Sequence, residues 1–206
     1  MNLLILHGYG ARPDSNFFQW LSQEFPQCNI PQLPNTNHPS EEQVEFVLKN
    51  IIITPDTIIL GHSLGVVVAL KVIEKLNHQI KGLISVGGFL EPTFKDRKRS
   101  FENSFRWSFD FDKVKKNAKH IVILSDRNDY AIPLEQGRAL SEKLNATLIE
   151  TIAEKPHFSG MKEPMVLAAV NFISSGNLLA EWQKHSSSSM CKMVLSRKAA
   201  STSSQK

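Results

Sequence analysis

Residues 57–70 read Thr-Ile-Ile-Leu-Gly-His-Ser-Leu-Gly-Val-Val-Val-Ala-Leu. An apolar run typical of a buried strand is followed by a Gly-x-Ser-x-Gly pentapeptide and by a small, β-branched segment that suits a helix start. Strand, sharp turn and helix in this order form a nucleophile elbow, in which glycines avoid collisions across the turn. The pattern predicts that Ser63 is a nucleophile and that the Leu64 backbone N–H is an oxyanion-hole donor. The alternative is a glycine-flanked turn with an idle serine.

A serine becomes a nucleophile only with a base and an orienting carboxylate, and suitable side chains follow two later strands. The predicted strand Ile121–Leu124 leads into a loop with Asp126 and Asp129, and the predicted strand Thr147–Ile152 leads into a loop with His157. Because open α/β sheets place their sites at the carboxyl ends of the strands, we expect these loops to meet. His157 would then accept the hydroxyl proton and return it to the leaving group.

Asp129 is the predicted orienting carboxylate. It lies five residues beyond the strand, and Ile132-Pro133 ends the turn and brings the carboxylate back over the sheet edge. Asp126 is predicted to be a simple turn former that bonds its own backbone. The predicted catalytic residues are therefore Ser63, Asp129 and His157, in the chain order that this type of elbow requires.

A second glycine-containing loop, His7-Gly8-Tyr9-Gly10, follows the first predicted strand. Its glycines would let the loop approach the nucleophile closely, so that the Tyr9 backbone N–H becomes the second oxyanion donor beside that of Leu64. The alternative is an ordinary glycine turn.

Short β-branched runs alternate with amphipathic stretches from residue 2 to residue 175, which predicts βαβ units and a parallel sheet covered by helices on both faces. We expect one domain over residues 1–176. Residues 177–206 form a Ser-rich basic tail, which we expect to be mostly disordered.

Composition and charge exclude several classes of protein. The 206 residues are 41% hydrophobic and 21% charged, and no apolar run approaches the roughly 18 residues of a membrane span. The formal net charge of +4 resides in the tail, which has five Lys or Arg residues and one Glu, so that the folded part should not attract nucleic acid. No signal peptide is recognisable, and two distant cysteines suit a reducing compartment. We therefore expect a cytoplasmic protein.

The chain has no phosphate-binding loop, no dinucleotide fingerprint after a strand and no His-Glu-x-x-His motif. We therefore expect no metal and no cofactor. The residues predict a serine hydrolase that cleaves a carboxylic ester or small amide through an acyl-enzyme. The alternatives are a protein-interaction module without enzymatic activity and an acyl-protein thioesterase.

The elbow, the Asp129-x-x-Ile132-Pro133 turn, the His157-Phe158 pair and the segment Phe105–Ala118 resemble the small α/β-hydrolases of the retinoblastoma-binding serine hydrolase (YdeN-like) family. The resemblance extends over about residues 2–175. It implies the α/β-hydrolase fold, a six-stranded sheet of order 2-1-3-4-5-6, a Ser-Asp-His triad and hydrolase activity. The Leu-x-Cys-x-Glu element of that family is absent, so no retinoblastoma-type partner is expected.

The resemblance also places a short cap after the fourth strand, where residues 88–111 are rich in aromatic side chains. Phe89 and Trp107 are candidate substrate-binding residues, since rings at this place could cover the site. The alternative is that these rings only anchor the cap to the core.

Overall fold

The sheet is built around β3 (Thr57–His62), all six residues of which are buried. The computed structural model describes residues 1–92 and 105–175, together with the backbone of residues 192–194. The other strands are β1 (Asn2–Leu6), β2 (Cys28–Asn29), β4 (Ile80–Val86), β5 (Ala118–Asp126), β6 (Thr147–Thr151) and β7 (Lys192–Val194). The helices are α1 (Phe18–Glu24), α2 (Glu41–Asn50), α3 (Leu64–Lys75), α4 (Phe111–Asn117), α5 (Leu134–Leu144) and α6 (Pro164–Ser175).

The first six strands are all parallel and lie in the order β2-β1-β3-β4-β5-β6. The predicted α/β class, the parallel six-stranded sheet and its 2-1-3-4-5-6 order are confirmed. The order reverses between β1 and β3, so that neighbouring crossovers leave on opposite faces and the carboxyl ends of the central strands form an open edge.

A seventh strand was not predicted. β7 pairs antiparallel with β6, with Leu148 opposite Val194 and Glu150 opposite Lys192. Without β7, one side of β6 would present unpaired backbone groups, which any short extended segment can bind. Three residues between serines and basic residues carry no strand periodicity, which is why the sequence predicted no regular structure there. The rest of the tail lies outside the described residues, and the domain boundary at residue 176 stays a prediction.

Successive side chains along the strands point alternately into two separate cores. Leu4, Leu6 and Ile59 face the core under α2, α3, α4 and α5. Leu3, Ile5, Ile58 and Leu60 face the core under α1 and α6. The predicted helices on both faces are thus present, and the alternation follows from the two-residue period of a strand. Within residues 1–92 and 105–175, no helix is long and apolar enough to cross a membrane.

The connection from β3 to α3 leaves no space for side chains beside Ser63. A Cβ atom on Gly61 would lie 2.6 Å from Cα of Val66, and one on Gly65 would overlap the carbonyl oxygen of Leu6 in β1. Both obstacles are backbone atoms of the central sheet and helix, which cannot move aside without displacing whole elements. The two glycines of the elbow are therefore required by packing.

We predict that Gly65→Ala lowers the free energy of unfolding by about 3 kcal/mol or more, because the added methyl group meets backbone rather than a flexible side chain. Urea denaturation measures the change. Lys75→Ala, at an exposed position of the same helix, is the control and should stay within about 0.5 kcal/mol of the wild type. Equal small effects of both variants would contradict the proposed packing constraint.

Candidate active site

Ser63 lies between the last residue of β3 and the first residue of α3. Its backbone is in an unusual conformation for a residue with a side chain, with φ of 54° and ψ of −122°. Such a conformation costs about 1–3 kcal/mol and persists only where the surroundings enforce it. Here the Ser63 N–H donates to the carbonyl oxygen of Val86 at 2.8 Å, and the packing of α3 on β1 and β3 holds the turn. The Ser63 side chain is half-buried at the carboxyl edge of the sheet.

The loop after β1 passes directly beside this turn. A Cβ atom on Gly8 would lie 3.0 Å from Cβ of Ser63 and 3.4 Å from the backbone nitrogen of Leu64. The loop is therefore in contact with the two residues that matter most to the elbow, as its glycine content predicted. Tyr9, the next residue, has a side chain that is 41% exposed. Its backbone N–H and that of Leu64 belong to adjoining segments of chain, so both stay candidates for an oxyanion hole.

Asp129 and His157 form a buried hydrogen bond. His157 Nδ1 lies 2.7 Å from Asp129 Oδ2, and because a carboxylate only accepts, the imidazole donates. The other oxygen, Oδ1, accepts the backbone N–H groups of Ala131 and Ile132 at 2.8 and 2.9 Å, which fixes the direction of the carboxylate. The fold thus brings Asp129 and His157 together, although they lie 28 residues apart in the chain. On the outer side, the 54% exposed Tyr130 places its ring 5.6 Å from that of His157.

His62, which lies between Gly61 and Ser63, connects the elbow to the base. Its Nε2 donates to the carbonyl oxygen of His157 at 2.9 Å, and its ring packs edge-on against Phe17 and Phe18. Burial and then the nearby His157 lower the pKa of His62 to about 3. A neutral ring with its proton on Nε2 leaves Nδ1 without a proton, and Nδ1 has no hydrogen-bond partner among the described residues.

Asp126 does more than the predicted turn formation. Its Oδ1 accepts the N–H of Asn128 at 3.0 Å, as expected of a turn former. In addition, Oδ1 accepts the N–H of Ala153 at 3.2 Å, and Oδ2 accepts the N–H of His157 at 2.9 Å. The predicted turn formation is thus present but incomplete, because the carboxyl ends of β5 and β6 lie side by side and bring the second loop within reach.

Glu163 is a second buried carboxylate that the sequence did not single out. It accepts the backbone N–H groups of Glu154 and Gly160 at 3.0 Å each and that of Lys155 at 3.4 Å. Burial raises the pKa of the Glu163 carboxyl, while these hydrogen bonds act in the opposite direction. Glu163 thereby connects backbone groups that precede His157 in its loop to one that follows it. A buried acid six residues after a histidine has no sequence signature, so only the contacts reveal it.

The aromatic segment packs mainly on the core. Phe89 is 1% exposed, and its ring centroid lies 6.0 Å from that of the partly buried Trp107. Near the end of the segment, Phe109 lies against the ammonium group of Lys71, which also pairs with Glu41 at 3.2 Å. These contacts favour the anchoring role for the described rings. The centre of the segment, residues 93–104, lies outside the described residues, and the substrate-binding role of Phe89 and Trp107 stays a prediction.

Within residues 1–92 and 105–175, no group of three His, Cys, Asp or Glu side chains is arranged to hold a metal ion.

The serine hydrolase family matches residues 3–161, which is most of the chain. The chain belongs to this serine hydrolase family. The resemblance seen in the sequence is thus confirmed, and so is the assignment of the protein as a hydrolase. This serine hydrolase is 28% identical over 156 residues to the Bacillus subtilis protein YdeN, covering 71% of this chain and 80% of YdeN. It is also 28% identical over 105 residues to the Rattus norvegicus serine hydrolase RBBP9, covering 50% of this chain and 53% of that protein.

Solved structures agree on the fold. The crystal structure of the YdeN gene product superposes with a TM-score of 0.75 at 24% identity, covering 84% of this chain and 98% of YdeN. Est1E from Butyrivibrio proteoclasticus, with ferulic acid bound, superposes with a TM-score of 0.62 at 16% identity, covering 84% and 88% of the two chains. These matches identify the predicted α/β-hydrolase fold.

The burial of His62 predicts a pH dependence of stability. His62 takes up a proton near pH 6.5 in the unfolded chain but only near pH 3 in the folded protein, so the unfolded state binds more protons between these values. The free energy of unfolding should therefore fall as the pH decreases through this range. The contribution of His62 is about 2 kcal/mol between pH 7 and pH 5.

Chemical denaturation at both pH values tests this with His62→Gln, which keeps an N–H donor and does not titrate. The wild type should lose about 2 kcal/mol more stability than the variant on going from pH 7 to pH 5. His38→Gln, at an exposed histidine, is the control and should behave as the wild type. Parallel pH profiles of wild type and His62→Gln would show that His62 is not held neutral by the fold.

Proposed function

We propose that the protein hydrolyses a carboxylic ester or a small amide through an acyl-enzyme on Ser63, with His157 as general base and Asp129 as its orienting carboxylate. The observation that carries the proposal is the buried 2.7 Å hydrogen bond between His157 Nδ1 and Asp129 Oδ2, formed at the same carboxyl edge of the sheet as a serine on a strained strand-to-helix turn. An imidazole whose Nδ1 is held in this way has Nε2 left for the serine proton. Membership of the serine hydrolase family supports the same chemistry.

The reaction follows from these roles. Ser63 Oγ attacks the carbonyl carbon of the substrate, while its proton passes to His157 Nε2 and the carbonyl oxygen becomes an oxyanion. The backbone N–H groups of Leu64 and Tyr9 would stabilise that oxyanion. The tetrahedral intermediate collapses as His157 gives the proton to the departing alcohol or amine. Water then attacks the acyl-enzyme by the same route, which releases the acid and restores Ser63.

A small ester or amide is the proposed substrate, with no nucleic acid or membrane involved and no cofactor required. A cytoplasmic location also stays a prediction, based on the use of cysteine in the sequence. Hydrolysis rates on p-nitrophenyl esters of increasing acyl length would separate a small-ester hydrolase from an acyl-protein thioesterase, since only the thioesterase should prefer the longest chains.

The nucleophile is tested with a fluorophosphonate probe, which reacts only with an activated serine. We expect labelling of the wild type and none of Ser63→Ala. Ser159→Ala removes a hydroxyl close to His157 in the chain and should be labelled like the wild type. An unlabelled but folded wild type would contradict the proposal and favour an interaction module without enzymatic activity.

The orienting acid is tested by Asp129→Asn. We expect kcat on an activated ester at about pH 8 to fall by roughly 10³–10⁴, the scale on which a triad loses its orienting charge. The isosteric change should leave the circular dichroism spectrum intact. A loss of less than about tenfold would mean that Asp129 does not orient His157.

A further inference from the structure

The backbone of His157 is in a left-handed conformation, with φ of 65° and ψ of 26°, and Phe158 follows with φ of 50°. Glycine adopts this region readily, and asparagine, aspartate and histidine do so to a lesser degree. The backbone of other residues seldom adopts it. A conformation of this kind persists only where other contacts over-determine it. The base of the proposed reaction therefore depends on whatever holds its backbone.

Three hydrogen-bonding groups of His157 are held by residues far from it in the chain. The ring Nδ1 donates to Asp129, the carbonyl oxygen accepts from His62 at the end of β3, and the backbone N–H donates to Asp126 Oδ2 at 2.9 Å. Asp129 holds the ring, whereas His62 holds the backbone carbonyl group and Asp126 holds the backbone N–H group.

Asp126 bonds two loops at once: the loop after β5, which carries Asp129, and the loop after β6, which carries His157. Its Oδ1 accepts N–H groups from both loops, from Asn128 and from Ala153. Its peptide carbonyl accepts the N–H of Asp129 at 3.2 Å. Displacement of this single residue would therefore move Asp129 and His157 relative to each other.

We propose that Asp126 is a positioning residue for the reaction: its carboxylate sets the left-handed backbone of His157 and thereby the alignment of the imidazole between Asp129 and Ser63. The inference rests on the proposed function. A carboxylate suits this task because both of its oxygens only accept, and three N–H groups converge on them. An asparagine has the same shape but presents an NH₂ group to one of these donors.

The test is the kinetics of Asp126→Asn alone and in combination with Asp129→Asn. Alone, Asp126→Asn should lower kcat on a small activated ester by about 10- to 100-fold, because a small displacement of a catalytic group has an effect of this size. KM should stay within about threefold, since the Asp126 carboxylate is buried and bonded to backbone N–H groups. In the Asp129→Asn background the same change should cost less than about threefold, because the alignment that Asp126 protects is already lost.

Asp112→Asn, at an aspartate whose side chain is 92% exposed on α4, is the matched control and should keep the wild-type kcat. Titration of Ser63 with the fluorophosphonate probe counts competent molecules, so that partial unfolding does not imitate a loss of kcat. If Asp126→Asn does not fold, Asp126→Ser takes its place, since a hydroxyl accepts one of the N–H groups without presenting an amide. An unchanged kcat per competent molecule, or equal losses in both backgrounds, would overturn the proposal and leave Asp126 a purely structural residue.

A spectroscopic measurement separates this inference from the proposed function. The proton shared between His157 Nδ1 and Asp129 should give a low-field NMR resonance in the wild type and in Asp112→Asn. That resonance should broaden or vanish in Asp126→Asn and in Asp129→Asn. If the wild type shows no Ser63-dependent hydrolysis, the proposed function fails, yet the resonance still decides whether Asp126 aligns the pair. A sharp, unshifted resonance in Asp126→Asn overturns the inference whatever the activity.

Discussion

The close contact of helix α3 with the ends of β1 and β3 is the constraint on which the rest of the site depends. No Cβ atom fits at Gly65 against the Leu6 carbonyl or at Gly61 against Val66, so that the helix begins nearer to the sheet than side chains at these two positions would allow. The chain passes from β3 to that helix start through the strained conformation of Ser63. Because β1 ends against the same helix turn, the following loop with Gly8 has to pass beside the serine.

The parallel sheet supplies the second condition, because it gathers the ends of distant strands at one edge. β3 carries His62 and Ser63, β5 carries Asp126 and Asp129, and β6 leads to His157. The hydrogen bonds among these residues cross from strand to strand in a buried setting, where unpaired polar groups are costly and satisfied ones are rigid. Glu163 also stabilises the loop of His157, because it accepts N–H groups from both sides of that residue in the chain. The position of the imidazole therefore depends on several loops together.

The structure at the edge of the sheet and in the aromatic segment depends less on the local side-chain pattern. β7 pairs with β6 although Lys192–Val194 has no strand pattern, because an exposed edge binds extended backbone with little regard for side chains. The aromatic segment after β4 shows a similar dependence on surroundings. Phe89 packs into the core, and Phe109 lies on the buried ammonium group of Lys71, which is itself paired with Glu41 of α2. The family resemblance implied a cap at this place, and the aromatic content of the segment did not indicate which rings face inward.

The sequence by itself determined the parallel six-stranded sheet, its helices on both faces, the serine elbow and the loops that follow β5 and β6, because each has a local signal: strand and helix periodicity, paired glycines, and polar residues directly after apolar runs. It also led to Asp129 rather than Asp126 as the partner of the His157 ring. Only the tertiary structure decided what Asp126, His62 and Glu163 do, since their hydrogen bonds reach backbone groups of other segments. A backbone N–H or carbonyl is the same at every residue, so no pattern of side chains along the chain can indicate which one a buried acid or imidazole will bind.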